Sequence, residues 1–501
     1  MPRKISENIN ENISYIENLF EGCYDIVFRN IEVGEVLPVK MSFVYIDGLI
    51  DKNFLSEYGV GSLIQEEEIK SLTEQGYRTT VLEAVLKEGL ATSEVVEEED
   101  LDKALDMMMS GDTLLFINNS DKVLIIGSRI TPARGVDEPS TEAAIRGPRD
   151  GFIESLKINT SLVRRRIKDT NLKIEVKPIG KRSKTNVGIL YIKDIVNPDL
   201  IGEVKRRLMT IDIDAILDST ILEQLIEDRP LSPFPQIENT ERPDSAASAL
   251  YEGRVVLLVD NSPFALMIPG TIGTMLQSTE DYYTRWMEAT AIRLIRLLAV
   301  LLVLLPSSLY VAMTAYHPGI LPTKLMYFLA ASRIDVPFPP LLEAFIMELT
   351  MELLRESGTR YSGPIGTTIG IVGGLIIGQA AVDAGIVSPL MIIIVAISTI
   401  ASFAIPTYEF SAALRLLKFF LIILAGILGL FGIMTGLLFI VIHLVTINSF
   451  GVPYTSPYSG LGVLDDLKDT LIKAPPRELW QRPKFTFPLN KQRMKRGKKD
   501  E

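Results

Sequence analysis

Four glycines at every fourth position constrain this chain more than any other feature. Gly366, Gly370, Gly374 and Gly378 lie in the run from Pro364 to Val387, PIGTTIGIVGGLIIGQAAVDAGIV. The run is longer than the about 20 apolar residues that cross a bilayer. At about 100° per residue, a spacing of four draws these glycines and Ala381 into one slowly drifting stripe. Small residues on a stripe let a neighbouring helix come close. Thr368, Val372, Leu375, Gln379 and Asp383 fall on the opposite side. Polar groups at membrane depth are costly unless they face protein or water. Two readings follow: a glycine-packed bundle helix with Gln379 and Asp383 near its end, or a helix that packs through its glycines and lines a path with the other face.

Charge divides the 501 residues. Residues 1–296 are rich in Lys, Arg, Asp and Glu and residues 297–447 are not, which says soluble module followed by membrane module. The net charge of −11 argues against nucleic acid as a partner, since an acidic chain lacks a counterion-releasing surface. The single cysteine, Cys23, allows no intrachain disulfide. The first twenty residues contain no apolar core of the kind a signal peptide needs, so the N-terminal part is expected in the cytoplasm. With two histidines and one cysteine there is no zinc-type ligand set and no Cys/His pair. No catalytic residue, metal or cofactor is expected.

The expected fold class is an α/β two-lobed soluble N-terminal domain followed by an α-helical polytopic membrane domain. Residues 1–34 read as a polar, helix-prone lead segment. Lobe one, 35–140, holds strand-like runs at Met41–Ile46, Thr113–Asn118 and Lys122–Ser128, with helical patterns between them. Lobe two, 141–275, begins with two helical pieces broken at Gly147-Pro148. It continues through strands at Lys173–Lys177 and Val187–Lys193 and a helix opened by Asn197-Pro198. A hairpin at Arg254–Pro269 turns on Asn261-Ser262-Pro263. Arg164, Arg165 and Arg166 read as a solvated or salt-bridged helix face, and Gly147–Gly151 as a turn.

Residues 276–296 place Tyr282, Tyr283 and Trp286 beside Arg285, Arg293 and Arg296, the composition of an interfacial amphipathic helix with a positive-inside anchor. The membrane domain, 297–450, is expected to hold about four spans. The first, Leu297–Tyr316, kinks at Pro306; the others are 364–387, Pro389–Phe410 and Leu416–Ile447. An amphipathic acidic helix at 340–357 carries Glu348, Glu352 and Glu356 in a stripe, and Glu343 on its apolar side. The stripe is a solvated face in a monomer, or a stack of carboxylate rings at a cation mouth in a symmetric ring, with Glu343, Glu348 and Glu352 as vestibule residues. The basic tail, 451–501, is placed in the cytoplasm by the positive-inside rule. Arg415 and Lys418 oppose that rule and are expected to pair with Glu409 or with the acidic helix.

Several stretches resemble one family: GPRDGFIESLKINTSLVRRRIK, GKRSKTNVGILYIKD, NTERPDSAASALYEGRVVLLVDNSPFALMIP, VPFPPLLEAFIMELTMELLRESGTR, IGTTIGIVGGLIIGQAAVDAGIVS and INSFGVPYTSPYS. Together they are similar to the A subunit of spore germinant receptors, the GerA family of endospore-forming bacteria. The resemblance implies a multi-pass protein of the inner spore membrane with its N- and C-terminal domains facing the spore core. It implies a transporter-like B subunit and a lipoprotein C subunit as partners, and assembly of A subunits, as pentamers, into a cation channel that opens on nutrient sensing. A non-conducting scaffold or transporter-like subunit is the alternative, and a paralogue acting in germination without sensing nutrient fits the same resemblance.

Overall fold

In a computed structural model of the chain, residues 3–33, 38–51, 95–130, 138–139, 142, 144–360, 374, 378–459 and 466–495 are described. They fall into two compact units. The first comprises Met1–Glu227, Asn239–Pro269 and Trp480–Glu501; the second comprises Asp228–Glu238 and Gly270–Leu479.

The first unit contains two five-stranded antiparallel sheets. Helix α1 (Ile9–Leu19) starts where the Asn8 side chain accepts from Asn10 N–H. Strands β1 (Ile26–Val33) and β2 (Val39–Ile46) follow, then β3 (Val95–Glu98), α2 (Leu101–Met109), β4 (Thr113–Ile117) and β5 (Val123–Ile126), in the order β1-β2-β4-β5-β3. The lead segment expected to be helix-prone thus supplies an edge strand. Its alternating run IVFRNIEV pairs residue for residue with β2, Ile26 opposite Ile46 through Val33 opposite Val39, and a paired strand outweighs weak helical propensity. Both faces of this sheet carry apolar side chains. Ile9, Ile16, Leu105 and Met108 cover one; Met41, Phe43, Leu115 and Leu124 form a core on the other.

The second sheet repeats the first. Helix α3 (Leu156–Arg166) precedes β6 (Leu172–Ile179) and β7 (Thr185–Ile192). Helices α4 (Pro198–Thr210) and α5 (Ser219–Ile226) follow, then β8 (Glu238–Thr240), α6 (Pro243–Tyr251), β9 (Val255–Val259) and β10 (Ala265–Ile268), in the order β6-β7-β9-β10-β8. Strands β1 and β2 recur as β6 and β7 at a constant displacement (26 to 172, 46 to 192). The unit α2-β4-β5 recurs as α6-β9-β10 at another (101 to 243, 126 to 268). Register recurs too: Met41 faces Ile117 as Val187 faces Val259. The left-handed residues coincide, Gly111 with Gly253 after the helix and Asn119 with Asn261 in the hairpin. An asparagine clamp is duplicated as well. Asn12 accepts from Ser6 N–H at 3.0 Å and donates to its carbonyl at 2.7 Å, and Asn159 does the same to Ile153.

The two lobes join through α3. Arg164, fully buried, donates Nε and Nη2 to the Asp25 carboxylate at 3.0 Å each and Nη1 to Leu172 O at 3.0 Å. Lys157 pairs with Asp47 at 2.7 Å, Lys168 reaches Ser110, and Lys173 donates to Leu19 O. The arginine cluster is therefore salt-bridged rather than solvated at two of its three positions, since Arg166 holds Asp150 at 2.6 Å. Residues 144–155 are not helical. Gly147 has φ +129°, and Pro148 O accepts from Arg242, so the break is a buttressed loop, 144–146 of the first expected piece is not helix, and the second piece becomes helical only at Leu156. The expected boundary between the lobes, at 140/141, lies outside the described residues.

On β6, Glu175 accepts from Tyr191 OH at 2.6 Å and from Lys205 at 2.7 Å. Burial alone would raise this carboxyl, but the two hydrogen bonds and the Lys205 charge hold it below the usual carboxylate range. A depressed acid stabilises the fold above its unfolded pKa of about 4.5 and loses that contribution as pH falls below it. Chemical denaturation of the full chain in detergent is expected to lose stability below that pH less steeply in Glu175→Gln than in the parent. Parallel curves would remove Glu175 from the account.

The C-terminal tail does not trail away. Thr486 donates to Glu252 O, Leu489 N–H to Ile195 O and Arg482 Nε to Tyr251 O, so residues 480–495 are part of the first unit.

The second unit is helical. After the single turns α7 (Ile272–Met275) and α8 (Glu280–Tyr283), α9 (Trp286–Leu304) is continuous and meets α10 (Pro306–Ala315) at a bend of 42°. Pro306 supplies the bend, because its ring removes a helical donor. The expected interfacial helix at 276–296 is thus one short turn, α8, and the first half of α9. Its Arg293 and Arg296 point inward: both lie on the buried Asp281, at 3.0 and 2.7 Å. Helix α11 (Thr323–Ser332), α12 (Pro340–Arg360), α13 (Pro389–Phe403), α14 (Tyr408–Leu428) and α15 (Leu430–Thr446) complete the unit. The expected long helix at 416–447 is two helices. Gly429, at φ +63°, breaks it, and α15 folds back so that Gly432 lies against Leu424 and Gly436 against Leu421. A side-chain carbon on Gly436 would stand 2.6 Å from Leu421 Cδ2; Gly432 and Gly436 serve this close return, whereas Gly426 lets Leu341 of α12 come close. His443 closes the hairpin end on Ser232 Oγ at 2.9 Å.

Among the described residues, α14 is long and apolar enough to cross a membrane, and α9 with α10 passes the same test as one bent span. Helices α13 and α15 are apolar but shorter, at 15 and 17 residues.

Candidate functional site

Helix α12 opens at Pro340, where a missing N–H leaves nothing unsatisfied, and carries carboxylates into the apolar bundle. Glu343 sits in its first turn and is fully buried. It accepts from Ser388 N–H at 2.7 Å, Ser388 Oγ at 2.6 Å and Tyr310 OH at 3.1 Å, with Arg333 Nη2 at 3.5 Å. Ser388 is also the N-cap of α13, so one carboxylate ties together α10, α12 and the start of α13.

Glu348, also fully buried, accepts from Ser307 Oγ at 2.6 Å and pairs with Lys418 of α14. Lys418 reaches Ser398 of α13 at 3.4 Å. Glu352 stands 3.2 Å from Arg415 Nε and 3.8 Å from Arg355. Numbers rise along α12 as they fall along α14, so Glu348–Lys418 and Glu352–Arg415 form the rungs of an antiparallel ladder. Arg355 donates to Ser402 Oγ at 3.0 Å, and Arg415 to Ser411 Oγ at 3.1 Å. The expected pairing of Arg415 and Lys418 with the acidic helix is what the structure contains.

Glu343 and Glu348 are therefore paired and closed to water in this chain; of the three carboxylates expected at a cation mouth, only Glu352 keeps partial exposure. For Glu348 and Glu352 the reason is the opposing helix, since α14 presents its two cations, Lys418 and Arg415, at their depth, whereas Glu343 is closed by Tyr310, Ser388 and Arg333. Such an arrangement can hold helices in one register and can exchange partners. Among the described residues no group of His, Cys, Asp and Glu could hold a metal ion.

Of the residues expected on the two faces of 364–387, Thr368, Val372, Leu375, Gly366 and Gly370 lie outside the described residues. Residues 378–383 are helical. Gly378 is buried, and a side-chain carbon there would meet Ile392 of α13 at 3.8 Å. Gln379 and Asp383 are exposed and joined to each other, Nε2 to Oδ1, at 3.0 Å. Gly374 is helical and half-buried. Sequence reasoning missed Tyr310, Ser388, Arg333 and Ser307, the hydroxyl and guanidinium partners of Glu343 and Glu348. The carboxylate on an apolar helix face signalled that partners were needed without saying which.

A family model described as Bacillus/Clostridium GerA spore germination protein matches residues 14–485. The chain is 40% identical to spore germination protein KA of Bacillus subtilis (strain 168), over 95% of this chain and 86% of that protein. It is 38% identical to spore germination protein GerLA of Bacillus cereus, over 96% of each. Among solved structures it is similar to the N-terminal domain of the A subunit of the Bacillus megaterium spore germinant receptor GerK3, with 31% identity, a TM-score of 0.42, and coverage of 53% of this chain and 96% of that one.

Proposed function

Since the chain belongs to the GerA family of spore germination proteins, we propose that it is the membrane subunit of a spore germinant receptor and that copies of it assemble into a nutrient-gated cation channel. Release of monovalent cations through it starts germination. The partners are a transporter-like B subunit, which meets the nutrient, and a lipoprotein C subunit; the site of action is the inner spore membrane. The observation that carries the channel reading is the outward Gln379–Asp383 pair on a helical stretch whose Gly378 faces α13. Were this exposed carboxylate at membrane depth, it would require water or another copy, and a path between copies supplies both. Thr368, Val372 and Leu375 continue that face, with Val372 and Leu375 as an apolar constriction that gates by dewetting. Glu343 and Glu348 hold the bundle behind it, and Glu352 is the carboxylate nearest the mouth.

Topology supports the same reading. Residues preceding the first apolar helix and residues 480–495, which follow the last, belong to one folded unit. The chain therefore crosses the membrane an even number of times, with four as the proposed count, and both terminal regions face the spore core.

The purified receptor in liposomes is expected to release potassium on nutrient addition. Asp383→Asn should lower the cation flux several-fold, and Val372→Ala should raise the leak without nutrient and shorten dormancy. Saturable, coupled uptake would identify a transporter, and the absence of any flux a signalling scaffold.

A further inference from the structure

The duplicated lobes carry an unused half of their own interface. Within the chain, lobe two contacts lobe one through Lys157, Ser161, Arg164 and Lys168. The positions that occupy the same places on α1 of lobe one are Asn10, Ser14, Glu17 and Glu21 (156 matches 9, 166 matches 19), and all four are exposed. In the other direction, lobe one receives lobe two with Asp25, Asp47 and Ser110, whose counterparts in lobe two are Asn171, Lys193 and Glu252. Lys193 is exposed, and Glu252 lies under the C-terminal tail, where its carbonyl accepts from Thr486. The tail brings Lys491, Arg493 and Lys495 to this end, all exposed, with Phe487 and Leu489 more than half exposed beside them.

Charge is reversed between the used and the unused contacts. Inside the chain, a basic α3 face meets acidic Asp25 and Asp47. Outside it, Glu17 on α1 and Glu21 just beyond it are exposed acids, and Lys193 with the tail forms a basic surface. We propose that copies of this chain join head to tail, the α1 face of lobe one docking on the Asn171–Lys193 face of the next copy's lobe two, with the basic tail 480–495 filling the seam. The proposal rests on the reading that copies assemble, and says through which surface. Two different patches meeting make a heterologous contact, which propagates until the rotation closes a ring. The opposite charge pattern of the internal contact keeps either face from pairing with the wrong partner.

The test uses the full-length receptor with Cys23→Ser as background. Glu17→Cys and Asn171→Cys chains, differently tagged, are co-expressed and treated with a bis-maleimide. Cross-linked dimers containing both tags are expected, and a chain carrying both substitutions should give a ladder ending at the ring. Glu17→Cys cross-linking to itself, or no cross-link in receptor whose native mass is still oligomeric, overturns the seam while leaving the assembly reading intact. Glu17→Lys/Glu21→Lys should weaken assembly at least tenfold, and Lys491→Glu/Arg493→Glu in the same chain should restore it. Failure of that restoration counts against the seam. A monomer that still conducts would overturn the assembly reading itself.

Discussion

Lys418→Met is expected to destabilise the helical unit by about 3–5 kcal/mol, because it leaves Glu348 buried without a cation. Glu348 has no exposure, and its remaining donor is a single serine hydroxyl. Charge burial rather than shape is at issue, since Met has nearly the volume of Lys and fits an apolar bundle. The second substitution, Glu348→Gln, should therefore return most of the loss when combined with the first, as replacing both members of a buried pair is often near neutral. Thermal unfolding of the detergent-solubilised receptor and its abundance in spore membranes read the effect. Equal stability of Lys418→Met and the parent would show that water reaches the pair. In the double variant, normal stability with altered nutrient response would assign the ladder a part in gating as well as in holding the bundle.

The next largest effect is expected in the α/β unit. Arg164→Ala removes four hydrogen bonds at once, two to Asp25, one to Leu172 O and one to Cys23 Sγ, and strands Asp25, which is 3% exposed at its side chain. A loss of about 3–5 kcal/mol is expected, with the lobes uncoupling before either sheet unfolds. Arg164→Lys should recover little, because a point charge cannot reproduce two parallel N–H donors to one carboxylate and a third to Leu172 O. Limited proteolysis between the lobes, in the region 131–149, is the readout. Cutting at the parent rate in Arg164→Ala would contradict the role assigned to this residue.

Where a local pattern decided the outcome, the sequence was enough. The runs at 41–46, 113–118 and 187–193 are β-branched and aromatic with turn residues at their ends, and each is a strand. Asn197-Pro198 opens a helix because cap and fixed φ act within one turn, and Pro306 bends one for the same local reason. The oddity of Arg415 and Lys418 in an apolar helix was readable as a demand for partners, and they met the acidic helix. The duplication of the lobes was not readable. It survives in register and left-handed turn positions, while the side chains between them have diverged from Leu101 to Pro243 or from Asp112 to Arg254 without loss of the sheet. Composition marked Arg293 and Arg296 as interfacial anchors but could not show that both pair with the buried Asp281.

The break at Gly429 illustrates the division. By itself, the sequence determined that residues 297–447 are poor in charge and rich in apolar residues and glycine, that Arg415 and Lys418 within an apolar run need acidic partners, and that the residues before it form α/β lobes. These follow from hydrophobicity, periodicity and capping, which act over a few residues. Only the tertiary structure decided that 416–447 folds back on itself, that Glu343 and Glu348 face inward to named partners, and that the tail returns to lobe two. Each of those depends on which of several chemically equivalent groups, distant in sequence, comes within 3 Å, and burial makes that choice by penalising every charge left without its counterpart.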